Sequence, residues 1–159
     1  VLNLAGPRCS CGARGCLEAY AGGVALLRQA RQLAADGEHT SQALRDLVQK
    51  LGAGLTTEAL HDLARAGDQA AIALFAAAGR RLGQAVAMLV NVLDPERMII
   101  GGGVAQAGEF LLEPCRQTAR GLILAEASRD VAVVPAELGP FAAALGVATM
   151  AAEREAGRC

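Results

Sequence analysis

Apolar residues recur every three or four positions through most of the chain, a helical period. Over residues 17–35, Leu17, Tyr20, Val24, Leu27 and Ala30 share one face while Arg28, Gln29 and Arg31 take the other. This spacing predicts a helix, loosened at Gly22 and Gly23. A loop over 36–40 leads to a short helix over 41–50 with Leu44, Leu47 and Val48 inward, ended by Gly52 and Gly54. Thr56 or Thr57 is placed to cap a further helix through Arg65, and Glu58 in its first turn suits the helix dipole. Gly67 stops that helix. Asp68 reads as the N-cap of a long one whose stripe is Ile72, Phe75, Gly79, Leu82, Val86, Leu89 or Val90, and Leu93. Asp94-Pro95 closes it, because the proline ring disfavours helical backbone in the residue before it. On this helix Arg80 and Arg81 fall on a solvated face, and Asn91 and Asp94 serve caps and turns.

Beyond Pro95 the period changes. Residues 97–100 form a short apolar, β-branched run ending in three glycines, residues 105–121 are helical with a break expected at Pro114, and 131–134 read as a second buried strand. Pro140 opens a last helix running to about Glu155. The order α, α, α, α, β, α, β, α predicts an α/β layer with helices on a small parallel sheet. Two strands make too little sheet to stand alone, so partners for it are expected outside this chain.

Length and composition fit that picture. A chain of 159 residues, 53% of them hydrophobic, suits one domain with a real core. Fifteen basic against sixteen acidic residues leave a net charge of −1, without the footprint that nucleic acid or an anionic membrane attracts. The stretch 70–94 is interrupted by Arg80, Arg81 and Gln84, which argues against a membrane span, and the first residues lack a signal-peptide pattern. A soluble protein is expected. The chain does not begin with Met, which suggests a piece of something longer.

Three of the five cysteines crowd into Cys9-Ser10-Cys11-Gly12-Ala13-Arg14-Gly15-Cys16-Leu17-Glu18, while Cys115 and Cys159 stand apart. Clustering of this kind reads as metal binding in a reducing compartment. Zinc takes four tetrahedral ligands and favours thiolates, and the glycines allow a tight wrap that brings three sulfurs to one centre. The set is one ligand short: residues 1–8 supply none, and His39 and His61 are expected on loop or helix surfaces away from the knot. Cys9 and Cys11 are too close in sequence to bridge easily.

The loop resembles the signature of the ROK proteins (repressors, open reading frames and kinases). The resemblance extends through Asn91-x-x-Asp94-Pro95, Gly101-Gly102-Gly103-Val104-Ala105, Pro135-Ala136-Glu137-Leu138-Gly139 and Ala144-Leu145-Gly146-Val147-Ala148. It implies the C-terminal lobe of a ribonuclease-H-like fold of the actin and hexokinase superfamily, carrying a small zinc loop. Within that lobe residues 1–18 would form the zinc-binding and sugar-contact segment, 19–95 the helical part and 96–159 the α/β nucleotide side. Zinc would be held by Cys9, Cys11 and Cys16, with a fourth ligand from a histidine upstream in the family. Glu18, two residues past the last cysteine, would accept hydrogen bonds from sugar hydroxyls. Gly101, Gly102 and Gly103 would line the nucleotide, and Gly139 and Gly146 would lie close by, although the family's polar stretch is here Pro140-Phe141.

The implied parent is an ATP-dependent hexose kinase, glucokinase-like, cytoplasmic and often oligomeric, taking a small sugar and ATP with magnesium. The catalytic base and phosphate loop belong to the family's N-terminal lobe, and no stretch here matches them, so the chain alone is expected to be inactive. The alternative is the sugar-sensing lobe of a ROK repressor, which would bind DNA through an upstream helix-turn-helix. An apolar excess without a partner lobe also predicts an exposed hydrophobic face and self-association.

Overall fold

The computed structural model describes residues 1–37, 40–155 and 157. His39 and Cys159 lie outside the described residues. The cysteine-bearing loop runs into a four-residue helix α1 (Glu18–Ala21), followed by α2 (Gly23–Asp36), α3 (Gln42–Leu51), α4 (Thr57–Arg65) and the long α5 (Gln69–Leu93). Strand β1 (Arg97–Ile100), α6 (Glu109–Leu122), β2 (Ala132–Pro135) and α7 (Ala142–Glu155) complete the order. The two strands pair in parallel with Arg97 opposite Ala132 and Ile100 opposite Pro135, as an α/β layer requires.

Side-chain caps fix where the helices begin. Ser41 Oγ accepts from Leu44 N–H at 2.9 Å, Thr56 Oγ1 from Ala59 N–H at 3.2 Å, and Asp68 Oδ1 from Ala71 N–H at 2.9 Å, each satisfying a donor with no partner inside its helix. At the far end of α5, Asp94 takes the left-handed conformation at φ 46° and Pro95 prevents continuation. Its carboxylate accepts a bond from Ser128 Oγ at 2.6 Å. Asn91 does more than cap: its amide donates to the Leu122 carbonyl at 3.2 Å and accepts from Leu124 N–H at 2.9 Å, tying α5 to the end of α6.

Helix α5 crosses two cores. Its first half packs Phe75, Leu74 and Ala78 with Leu26, Leu44 and Leu60 of α2, α3 and α4. Its second half packs Val86, Ala87 and Val90 with Cys115 and Ala119 of α6, Ile123, and Val133 of β2. Among the described residues α5 is the one helix long and apolar enough, by length and composition, to cross a membrane, despite Arg80 and Arg81. Here one face lies against protein.

Several expectations need correction. The helix predicted over 17–35 is two helices, because Gly22 adopts an extended ψ of 158° between them. Pro114 does not break α6; it sits inside that helix, which a 3₁₀ turn over Gly103–Ala107 precedes. Leu89 and Leu93 are exposed, so the buried stripe of α5 ends on Val90. Of the second strand only Val133 is buried, and Ile99 of the first is 64% exposed. His61 is no free surface residue: its ring lies edge-on to Phe75 and Phe110, with centroids 6.2 and 6.1 Å away. Arg81 stacks over the Tyr20 ring, 4.6 Å from its centroid, where a solvated face was expected.

Candidate functional site

Two loops widely separated in the chain meet at one cleft. Leu17, Glu18, Gly22 and Gly23 form one wall, Gly101, Gly102 and Gly103 the other, and Leu82, Ile100, Val104 and Leu111 supply the apolar lining, enclosing about 280 Å³. Glu18 is the sole charged residue of that lining. Its side chain is exposed and makes no hydrogen bond or ion pair with another described residue, so its oxygens are free to accept from a ligand.

The glycine wall follows β1. Gly102 sits at φ 96°, a conformation an L side chain rarely adopts, and from it the chain enters the 3₁₀ turn over Gly103–Ala107. All three glycines are exposed, so a ligand can approach the main chain itself. Gly101 and Gly102 also border a second hollow of about 260 Å³, reached by Gln106, Pro135 and Gly139 as well. Gly139 is therefore close to the glycine loop, as expected. Gly146 lies on α7 and lines neither hollow.

The cysteine loop stands immediately before Glu18. Cys9 N–H donates to the Ala13 carbonyl at 2.9 Å and Gly12 N–H to the Cys9 carbonyl at 3.1 Å, closing the turn, while Gly15 N–H reaches Pro7 at 2.9 Å. The Sγ atoms of Cys9, Cys11 and Cys16 all lie within 4.8 Å of one another, with Cys11 and Cys16 at 3.6 Å. Tetrahedral zinc with bonds of about 2.3 Å sets its thiolates roughly 3.8 Å apart, so the donor set fits that ion in kind and spacing. No fourth His, Cys or carboxylate joins the group among the described residues. Without metal the thiols differ: the Cys11 backbone N–H and thiol hold Cys9 below its usual value, whereas the hydrogen bond with Cys11, aided by desolvation, raises Cys16 to about 11. Cys115 is raised to about 11 by burial in the second core.

The sequence profile of the ROK family matches residues 1–154. The chain belongs to the ROK family. It is 37% identical to the glucokinase of Thermotoga maritima over 96% of this chain and 47% of that protein. A ROK glucokinase from Streptomyces griseus, solved in complex with glucose and AMPPNP, superimposes with a TM-score of 0.73 at 33% identity, covering 91% of this chain and 47% of its own. The N-acetylglucosamine repressor of Escherichia coli O157:H7 is also similar, 30% identical over 71% of this chain and 27% of its own length. The chain thus spans about half the length of the glucokinases it matches. ROK sugar kinases share its α/β fold.

Within this ROK chain the structure brings together Glu18 and the three glycines, and the three cysteines, which do not line the cleft, gather in the loop that leads into Glu18. The sequence did not announce three contributors. Gly22, expected only to loosen a helix, leaves room for the Glu18 carboxylate: a Cβ there would overlap Oε1 and Cδ of Glu18. Leu82 and Leu111 belong to the lining as well, and nothing in helical periodicity distinguishes a residue lining a cleft from one in a core.

Proposed function

We propose that this chain is the C-terminal lobe of an ATP-dependent hexose kinase, glucokinase-like, in which Glu18 holds the sugar and Gly101, Gly102 and Gly103 approach the nucleotide. The observation that carries the reading is the single cleft joining them across more than eighty residues of sequence. Phosphoryl transfer needs a sugar hydroxyl and a terminal phosphate held within bonding reach, and a shared cleft supplies that nearness. A carboxylate suits vicinal hydroxyls because it accepts two charge-assisted hydrogen bonds at once. Exposed glycine backbone suits a nucleotide because no Cβ keeps the phosphates or ribose away.

Residues 1–18 then form the zinc-binding and sugar-contact segment, 19–95 the helical body and 96–159 the nucleotide side. Cys9, Cys11 and Cys16 would hold the zinc, with a fourth ligand from the upstream histidine that family resemblance implies. Zinc, when bound, contributes rigidity to the loop ahead of Glu18 and no chemistry to the transfer. The catalytic base, the phosphate loop and the magnesium site are assigned to the N-terminal lobe of a cytoplasmic, oligomeric parent. Similarity to an N-acetylglucosamine repressor supports a second reading, the sugar-sensing lobe of a DNA-binding regulator. The kinase reading is favoured because the glucokinase of Thermotoga maritima matches at higher identity over more of the chain.

In the full-length protein, Glu18→Gln should weaken glucose affinity about tenfold or more, as loss of a charged hydrogen-bonding partner does, and leave ATP affinity unchanged. Gly102→Val should do the reverse. Calorimetric titration with each ligand reads both, and unaltered glucose binding in the first variant would end the sugar assignment. Glucose phosphorylation by the full-length protein, absent in the 159-residue chain alone, separates kinase from repressor.

A further inference from the structure

We propose that Gly22 is a positioning residue: the absence of a side chain there is what allows the Glu18 carboxylate to lie in the cleft. The inference rests on the reading of Glu18 as the sugar contact. Glu18 opens α1 and Gly22 ends it one turn later, its N–H donating to the Glu18 carbonyl at 3.0 Å. Residues four apart on a helical turn share a face, so anything attached to position 22 meets what is attached to position 18. A Cβ on Gly22 would overlap the carboxylate of Glu18 and stand 2.7 Å from its carbonyl oxygen. The contact with the backbone oxygen asks for a small shift at the end of α1, whereas the carboxylate is the flexible group and is the part that must swing away.

The neighbouring glycine does different work. A Cβ on Gly23 would sit 3.6 Å from Thr57 Cγ2 and 3.9 Å from Val104 Cγ2, ordinary contacts that demand no rearrangement. The glycine pair therefore divides into one residue that sets the direction of a ligand and one that does not. Gly54 does not line the cleft and has open space where a Cβ would lie, so Gly54→Ala serves as the internal control.

The first test is a crystal structure of Gly22→Ala beside the unaltered protein. The carboxylate is expected to swing away from position 22, and finding it unmoved would overturn the proposal. The second is glucose affinity of the full-length protein, measured by calorimetry. Gly22→Ala should weaken it about tenfold, the scale of a lost charge-assisted bond, with ATP affinity unchanged and Gly54→Ala close to the parent. A Glu18→Ala background gives the decisive cycle: no carboxylate remains to be displaced, so Gly22→Ala should cost clearly less glucose affinity there than in the parent, leaving only the effect of the backbone contact. An equal cost in both backgrounds would mean that position 22 acts through the fold, and the proposal would fail. If Glu18→Gln itself leaves glucose binding untouched, the sugar reading is lost, while the crystallographic displacement still decides the positioning role.

Discussion

Three thiols within eight residues are not chemically equivalent here, and the difference is local. Cys9 is held below its usual ionisation range because the Cys11 backbone N–H and thiol favour its anion, while Cys16 is raised to about 11 by its bond with Cys11 and by desolvation. A lowered value means a larger thiolate fraction at a given pH, and thiolate is the reactive form. In metal-free protein near pH 8, iodoacetamide should therefore label Cys9 ahead of Cys16, and ahead of Cys115, which is fully buried and also raised to about 11. Peptide mass spectrometry over a time course reads the order, and labelling of Cys16 before Cys9 would contradict it. Zinc added beforehand should slow labelling of all three loop cysteines and leave Cys115 as it was. Protection confined to one or two of them would argue against a three-thiolate site.

At the scale of elements, the close pairing of α5 and α6 depends on absent side chains. A Cβ on Gly79 would fall on the Leu111 carbonyl oxygen and 3.2 Å from Pro114 Cβ, and one on Gly83 would meet the Cys115 carbonyl oxygen and stand 2.8 Å from Thr118 Cβ. Backbone cannot yield as a side-chain tip can. Gly79→Ala should destabilise the fold by about 1–3 kcal/mol in urea unfolding, the usual cost of overpacking, even though alanine is the better helix former. Gly121→Ala on α6, whose Cβ would meet open space, should be neutral or slightly stabilising. Equal effects at the two positions would dismiss the packing argument.

These helices also show what was legible in the sequence and why the rest was not. Helix starts were readable because Ser41, Thr56 and Asp68 act on donors three residues away, an interaction contained in the local sequence. The glycine loop after β1 and the cysteine cluster were readable for the same reason. The division at Gly22 was legible only as a loosening of one helix, since a glycine in the sequence does not say whether its backbone turns extended. Pro114 was expected to break a helix, yet α6 carries it beside Gly79 of α5, a tertiary circumstance. The meeting of Glu18 with the three glycines is likewise tertiary: residue types announced each wall, and only the fold joined them.

At the scale of the molecule, apolar surface stands open where a globular protein would cover it. Val92 and Leu124 are 80% and 81% exposed, Leu93, Ile99, Phe141, Val147 and Met150 are exposed too, and α7 buries none of its residues. The sheet has two strands, each with an unpaired outer edge among the described residues, and such edges are templates for further pairing. Apolar surface of this kind drives association wherever a partner is missing. The 159-residue chain by itself should therefore self-associate, with a weight-average mass in sedimentation equilibrium that rises with concentration. Replacing Val92 and Ile99 together by Lys should lower that mass without loss of helical circular dichroism, because neither side chain belongs to either core. The chain covers 47% of the Thermotoga maritima glucokinase, and the remaining half of such a protein is available to cover the same surface. The full-length protein should then bind far less of the dye ANS per chain than the 159-residue piece does. A piece that stays monomeric at all concentrations and binds no dye would show that these side chains are at ease in water, and the expectation of a partner for this surface would have to be given up.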